Sequence, residues 1–416
     1  MKINYNGIDF KHTLRALCYR NYRLFFTGQV ISLIGTWMQY LAMSWLVYRL
    51  TNSLFALGAI GFASQITAFF VSPFSGVWAD RWNRHRILIV TQILAMLQAF
   101  VLAWLVMSGV VRVWHIIVLS VFLGVVNSFD MPVRQSFTFD MIRNKQDLGN
   151  AIALNSLMFN LARFIGPTAA GFVVALFGEG MCFLINGVSY IAVIIALFLI
   201  KTSSLKSVNN HRGIWESMKE GFVYTFGFPP MRFILILMGL VSLVVMPYAV
   251  LLPAFAKDVL HGNSRTLGIL MGAAGMGALA GAVFMAAKKG VQGLGRSIAN
   301  AMFMFGIGLM LLSFSSTTWL SLIIMVFIGF GIMVHMAASN TVLQAIVDDD
   351  KRGRVMGFYV MAFIGLTPFG SLFAGSLASH IGIPRTFLLA GILCILGAFI
   401  FRFKINSFNS IVDKVK

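Results

Sequence analysis

Twelve apolar runs, each long enough to cross a bilayer, take up almost all of this chain. A membrane-spanning helix needs roughly 20 apolar residues. The runs begin with 24–48 and 54–78 and end with 354–380 and 386–402, and no polar stretch large enough for a separate domain is left between them. With no water to serve the backbone at that depth, such runs fold as helices. Charged residues make up 11% of the 416 residues and the mean hydropathy is +0.86, against about 25% charged in soluble domains. The expected fold is an all-α membrane protein of 12 transmembrane helices.

The formal net charge of +19 invites a nucleic-acid reading. That reading needs a concentrated basic face on a folded domain. Here the cations lie in short loops, and 25 Lys and Arg fall on the side of the two termini against 5 on the other. This is the bias of inside-facing loops. It predicts both termini in the cytoplasm, a multi-pass bacterial inner-membrane protein, the lipid bilayer as its surroundings, and no nucleic-acid partner. Cys18, Cys182 and Cys394 fall on separate elements and suggest neither a disulfide framework nor a metal site. The first residues carry no short apolar core with a small-residue cleavage site, so the first helix is expected to serve as the insertion signal.

The longest polar connection divides the runs six and six. The expected units are residues 1–200, a linker at 201–231 and residues 232–416. The halves echo each other at an offset of about 205: "GPTAAGFVVALFG" (Gly166–Gly178) answers "GSLFAGSLASHIG" (Gly370–Gly382) in its glycine spacing. Parallel six-helix repeats of this kind mark transporters whose halves rock about a central site. Within the linker, "RGIWESMKEGFVYTF" sets Ile214, Trp215, Met218 and Phe222 opposite Glu216, Lys219 and Glu220, the pattern of a surface amphipathic helix.

Between the second and third runs stands "GVWADRWNRHRIL". Gly76, Asp80, Arg81, Arg84 and Arg86 fit a cytoplasmic gate: Gly76 permits close helix approach, Asp80 can accept bonds from a helix N-terminus, and the arginines can pair with acids or lipid phosphates. The loop resembles the signature of the major facilitator superfamily, with Asn83 where Gly is usual. "NSFDMPVRQSFTFDMI" (Asn127–Ile142) and "LPAFAKDVLHGNSRTLGILMGAAGMGALAGA" resemble the group containing the enterobactin exporter and macrolide efflux proteins. "GPTAAG", with Gly166, Pro167 and Gly171, resembles the antiporter motif of the superfamily. The resemblance implies two pseudo-symmetric six-helix bundles, a monomer, and proton-driven export of a siderophore or similar amphiphile. Multidrug or macrolide efflux, siderophore uptake and lysophospholipid flipping are the alternatives within transport; a receptor or assembly factor built on the same scaffold is the alternative outside it.

Charged groups at membrane depth cost roughly 2.5–3.5 kcal/mol at a helix centre and face a partner or a water-filled cavity. Asp130, Arg134 and Arg163 are the candidates. Asp130 and Arg163 are expected to meet, since their runs rise from one turn to similar depths; Asp130 and Arg134 can also pair at i and i+4, with Pro132 between them weakening that second pairing. Three roles are open: a proton carrier centred on Asp130, a substrate anion site at Arg163, or a static brace. His335 is a further titratable candidate, for which a hydrogen-bonded structural role competes. Gln39, Asn127, Asn155, Asn160 and Asn340 are polar groups in apolar runs, open to lining a substrate cavity or to bonding across helices. No nucleotide loop, metal-ligand cluster or nucleophile with a base is present, so an enzyme is not expected and no cofactor is implied.

Overall fold

The computed structural model describes residues 14–81, 83–142, 144, 147–200, 214–288, 290–348 and 351–412, and their side chains except at 68, 72–81, 139, 214–218 and 406–412. Twelve helices are long and apolar enough to span a membrane. The first six are α1 (Arg20–Thr51), α2 (Leu54–Arg81), α3 (Arg84–Met107), α4 (Val113–Met141), α5 (Leu148–Phe177) and α6 (Glu179–Leu199). The second six are α7 (Pro229–Val259), α8 (Ser264–Ala287), α9 (Leu294–Phe314), α10 (Thr318–Ile346), α11 (Arg352–Ile381) and α12 (Ile383–Val412). An even number of crossings returns the chain to the end where it started. That end is called the near end below, and the opposite one the far end.

Local chemistry sets the turns. Asn83, the departure from the loop signature, caps α3: its Oδ1 accepts the His85 and Arg86 amides at 3.0 and 3.3 Å. Asn263 forms a capping box with Thr266 ahead of α8. Gly178 and Gly382 end α5 and α11 with φ of +80° and +84°, a region where side chains are strained. The two echoing stretches thus close in the same backbone conformation.

The packing repeats as the sequence does. α1 lies on α6, α2 on α4, and α3 on both α4 and α6; α7 lies on α12, α8 on α10, and α9 on both α10 and α12. The most extensive contacts between the halves are α5 on α8 and α2 on α11. Each is a meeting of backbones at glycine. A Cβ on Gly171 would stand 2.9 Å from the Gly268 Cα, and one on Gly375 would stand 2.8 Å from the Gly58 Cα. The glycines of α8 serve two faces: Gly268 and Gly275 meet α5, whereas Gly277 and Gly281 meet α10.

Among the described residues, the hydrogen bonds between the halves gather at the far end. Tyr48 donates to Asp258, Lys257 Nζ donates to Asn52 Oδ1 at 2.7 Å, and Ser264 Oγ donates to the Gly171 carbonyl at 3.2 Å. Close by, Arg49 reaches Glu179 through two bonds of 2.7 and 3.2 Å. The far end is therefore shut.

The repeat breaks in one respect that the sequence reading does not anticipate. α7 contains π-helical segments at Val241–Val245 and Phe255–Val259, and α11 one at Met361–Gly365. α1 and α5 are continuous α-helix, and α5 runs through Pro167 without interruption. The Val241–Val245 and Met361–Gly365 segments face each other, and Ser242 Oγ lies 2.5 Å from the Phe363 carbonyl and 2.9 Å from Thr367 Oγ1. Such segments are frequent at functional places in helices.

The linker supplies a helix at Ile214–Gly227, docked on the near end of α11. Its side chains described from Lys219 onward place Glu220 on Arg354 at 2.8 Å, while Phe222 is half exposed. Phe222 also meets Phe358 of α11, at 6.1 Å between ring centroids, so the ion pair and the aromatic contact both hold the helix to α11. Tyr224 donates to Asp348 at 2.9 Å under the ammonium of Lys351. Burial raises the Tyr224 hydroxyl above its ordinary range and keeps it a donor.

Replacing Gly375 with Val should force α11 off α2 and open the far end. Pulsed EPR between labels at positions 52 and 257 is expected to show a longer, broader distance distribution in G375V; a distribution matching the parent would count against the glycine seal.

Candidate functional site

Asp130 lies on α4 and is buried. Its Oδ1 accepts Thr91 Oγ1 at 2.9 Å and Gln92 Nε2 at 2.7 Å, both from α3. Its Oδ2 pairs with Arg134 Nη2 at 3.1 Å. Arg134 Nη1 donates in turn to Gln29 Oε1 of α1 at 3.1 Å. Pro132 sits inside the continuous helix and does not prevent the i, i+4 pair. The carboxylate is thus bonded on both oxygens, and the chain of bonds ties α1, α3 and α4. Beside it is a cavity of about 50 Å³, bordered by Ser32, Thr36, Asn127, Arg134 and Tyr190 among others. That volume holds a small cluster of waters. Gln92 Oε1, buried and without a partner among the described residues, is free to bond such a water. Arg134 is a quarter exposed and Asp130 4%, so the cation is the more accessible member of the pair.

The expected meeting of Asp130 and Arg163 does not occur. α4 and α5 share a turn but part from it, and α5 packs between α1 and α8. No ion pair involves Arg163 among the described residues. Its guanidinium lies instead over the Trp37 ring, 5.8 Å from the centroid. Tyr40 of α1 and Tyr248 of α7 are within its electrostatic reach. Trp37 meets Tyr40 and Phe159 edge to face at 5.8 and 5.7 Å. The cost of a lone charge at this depth, roughly 2.5–3.5 kcal/mol, exceeds what one cation–π contact returns, about 0.5–2 kcal/mol.

Gly166 is what allows this arrangement. A Cβ there would lie 2.5 Å from the Trp37 Cβ and 2.9 Å from the Ile34 carbonyl. The glycine of the antiporter-like motif seats Trp37 one turn from Arg163. Pro167 and Gly171 continue the same helix towards the far-end crossing with Gly268.

The other sequence candidates scatter. Gln39 is buried in a knot with Gln98 (3.1 Å) and Asn186 (2.7 Å), which binds α1, α3 and α6 and occupies its amide. Asn155 accepts from Tyr22 at 3.0 Å, joining α1 and α5 near their near ends. Asn160 donates to the Ser156 carbonyl of its own helix at 2.8 Å. Asn340 accepts from Gln344 at 2.5 Å. Asn127 borders the Asp130 cavity. His335 is fully buried, with Phe305 edge-on at 5.9 Å, and neither ring nitrogen has a hydrogen-bond partner among the described residues. The Ile298 carbonyl faces its ring, and with Phe305 edge-on it holds His335 in a structural place between α9 and α10.

Of the gate residues, the side chains of Gly76, Asp80 and Arg81 lie outside the described residues. Arg84 Nη1 meets both oxygens of Asp140 at 3.2 and 3.1 Å, joining α3 to α4 at the near end. Arg86 is exposed.

The sequence reading missed Gln29, Thr91, Gln92, Tyr190, Trp37, Tyr40, Phe159 and Tyr248. Thr91–Gln92 had a signal, a polar pair inside the apolar run "ILIVTQILAML". The aromatics had none, since 39 Phe, 9 Tyr and 8 Trp are spread along the chain.

Comparison with known proteins agrees with this architecture. The sequence model of a family described as transmembrane secretion effector matches residues 12–414. The staphyloferrin A transporter of Staphylococcus aureus is 25% identical over 92% of this chain and 95% of that protein. The multidrug efflux pump Tap of Mycolicibacterium fortuitum is 22% identical over 85% of this chain and 88% of its own. Among solved structures, the nucleoside transporter NupG superposes with a TM-score of 0.73 at 14% identity, over 92% of this chain and 98% of that one. A bacterial homologue of the iron transporter ferroportin, solved in an inward-facing state, gives 0.69 at 18% identity over 91% and 98%. At these identities the structures speak for the fold alone.

Removing the Asp130 carboxylate leaves Arg134 without its counter-charge, a loss on the order of 3–5 kcal/mol for a well-buried pair and less here because Arg134 reaches solvent. In thermal unfolding the expected order of melting temperature is wild type above D130N above D130A; equal values for all three would show that the pair contributes no stability.

Proposed function

We propose that this chain, which belongs to the transmembrane secretion effector family of the major facilitator superfamily, exports a siderophore or similar amphiphilic small molecule across a bacterial cytoplasmic membrane in exchange for protons. In this reading the near end is cytoplasmic, and the described conformation, shut at the far end, is the one that receives substrate from inside. The chain works as a monomer with the bilayer around it. The charge bias of the loops supports this orientation, and the relatives that transport staphyloferrin A or multiple drugs support the substrate class.

The observation that carries the coupling is the Asp130–Arg134 pair beside a cavity large enough for a few waters. A proton arriving at Asp130 cancels its charge and releases Arg134 from it. The guanidinium, already bonded to Gln29, then shifts its weight towards α1, and the bonds from Thr91 and Gln92 loosen. Protonation therefore changes how α4 is held against α1 and α3, the kind of differential contact a two-state transporter requires. When the proton leaves, the pair re-forms. Arg163, which lies apart from Asp130, takes no part in proton transfer. Gly76, Asp80, Arg81, Arg84 and Arg86 act in this reading as the cytoplasmic gate, closed in the opposite state.

Two experiments test it. A deletion strain is expected to accumulate siderophore inside the cell, whereas lost uptake with normal secretion would reverse the direction. In proteoliposomes holding a pH-sensitive dye, substrate movement by the wild type should drive a counter-flow of protons. D130N should lose at least about tenfold of that proton flux while keeping substrate exchange. Proton movement unchanged in D130N would remove Asp130 from the mechanism.

A further inference from the structure

We infer that Arg163, Trp37, Tyr40, Phe159 and Tyr248 form a binding site for a substrate that carries an anionic group next to a planar or aromatic face. The inference rests on the transport reading of the fold, though on neither its direction nor its energy source.

Arg163 stands near the middle of α5, at the depth where transporters of this build hold their cargo. Its charge has no carboxylate partner among the described residues, whereas the other arginine in this part of the first half, Arg134, is paired. Around it the groups are of two kinds. Trp37, Tyr40 and Phe159 present aromatic surfaces joined edge to face. Tyr40 and Tyr248 present hydroxyls near the guanidinium. A planar guanidinium fork binds a carboxylate through two parallel bonds, and the rings accept an apolar face beside it.

The site also draws on both halves. Tyr248 belongs to α7, between its two π-helical segments, and the other four residues belong to α1 and α5. Rocking of the halves therefore moves Tyr248 relative to Arg163, so affinity changes between the two states of the transport cycle. Tyr40 is 41% exposed, so part of the cluster's aromatic surface is left uncovered by the chain. A static brace would need neither that uncovered surface nor an unmatched charge.

The test uses the full-length protein in nanodiscs and two radiolabelled probes, 2-naphthoate and its neutral analogue 2-naphthamide. Wild type should bind 2-naphthoate saturably. R163Q should weaken that binding by roughly 10-fold or more, the scale of a hydrogen bond to a charged group, while 2-naphthamide binding changes by less than about twofold. R163K should retain part of the naphthoate binding, and W37A should weaken both probes. Retained naphthamide binding shows that R163Q is folded. The inference is overturned if wild type shows no saturable naphthoate binding, or if R163Q binds both probes as the wild type does. Arg163-dependent naphthoate binding in a protein that shows no proton-driven efflux would support the site and refute the exporter reading alone.

Discussion

A charge at membrane depth must be answered by a counter-charge, a polar partner or an exchangeable ligand, and the first half of this molecule answers two arginines differently. Arg134 is matched by Asp130 and tied through Gln29, Thr91 and Gln92 to two neighbouring helices. Arg163 is matched by aromatic faces and hydroxyls alone. In the proposed function the division separates two tasks, with the Asp130–Arg134 pair answering to protons and Arg163 to an anionic substrate.

Both arrangements depend on how closely helices approach. Gly166 lets α1 bring Trp37 beside Arg163, and the pairs Gly171–Gly268 and Gly58–Gly375 bring the halves into backbone contact at the far end. In the proposed transport cycle these contacts, with no side chains interlocked at the glycines, are the places where the halves part. The two halves are unequal, however. α7 and α11 carry π segments bridged by Ser242, Phe363 and Thr367, while α1 and α5 are regular. Among these four helices the wider π turns are confined to α7 and α11 of the second half.

The helices and their repeat were legible in the sequence because bilayer thickness and backbone satisfaction leave few alternatives. The Gly166–Gly178 and Gly370–Gly382 echo predicted a shared geometry that extends to the matching glycine caps. The pairing of Asp130 was half legible. The i, i+4 spacing to Arg134 named the partner, but similar depth suggested Arg163 as well, and depth along two helices says nothing of how they diverge. The aromatic cluster was not legible, because lipid-facing and cleft-facing rings look alike in an apolar chain. The π segments escaped for a related reason: the apolar runs containing them have no interruption in polarity, only in hydrogen bonding.

The account turns on Asp130 exchanging its proton as substrate comes and goes. Infrared difference spectroscopy on the reconstituted protein reads that event directly. Acidification is expected to raise a protonated-carboxyl band, which substrate addition then removes with release of a proton to the medium, and D130N should lack both signals. A substrate-induced proton release that persists in D130N, or its absence from the wild type, would contradict the account.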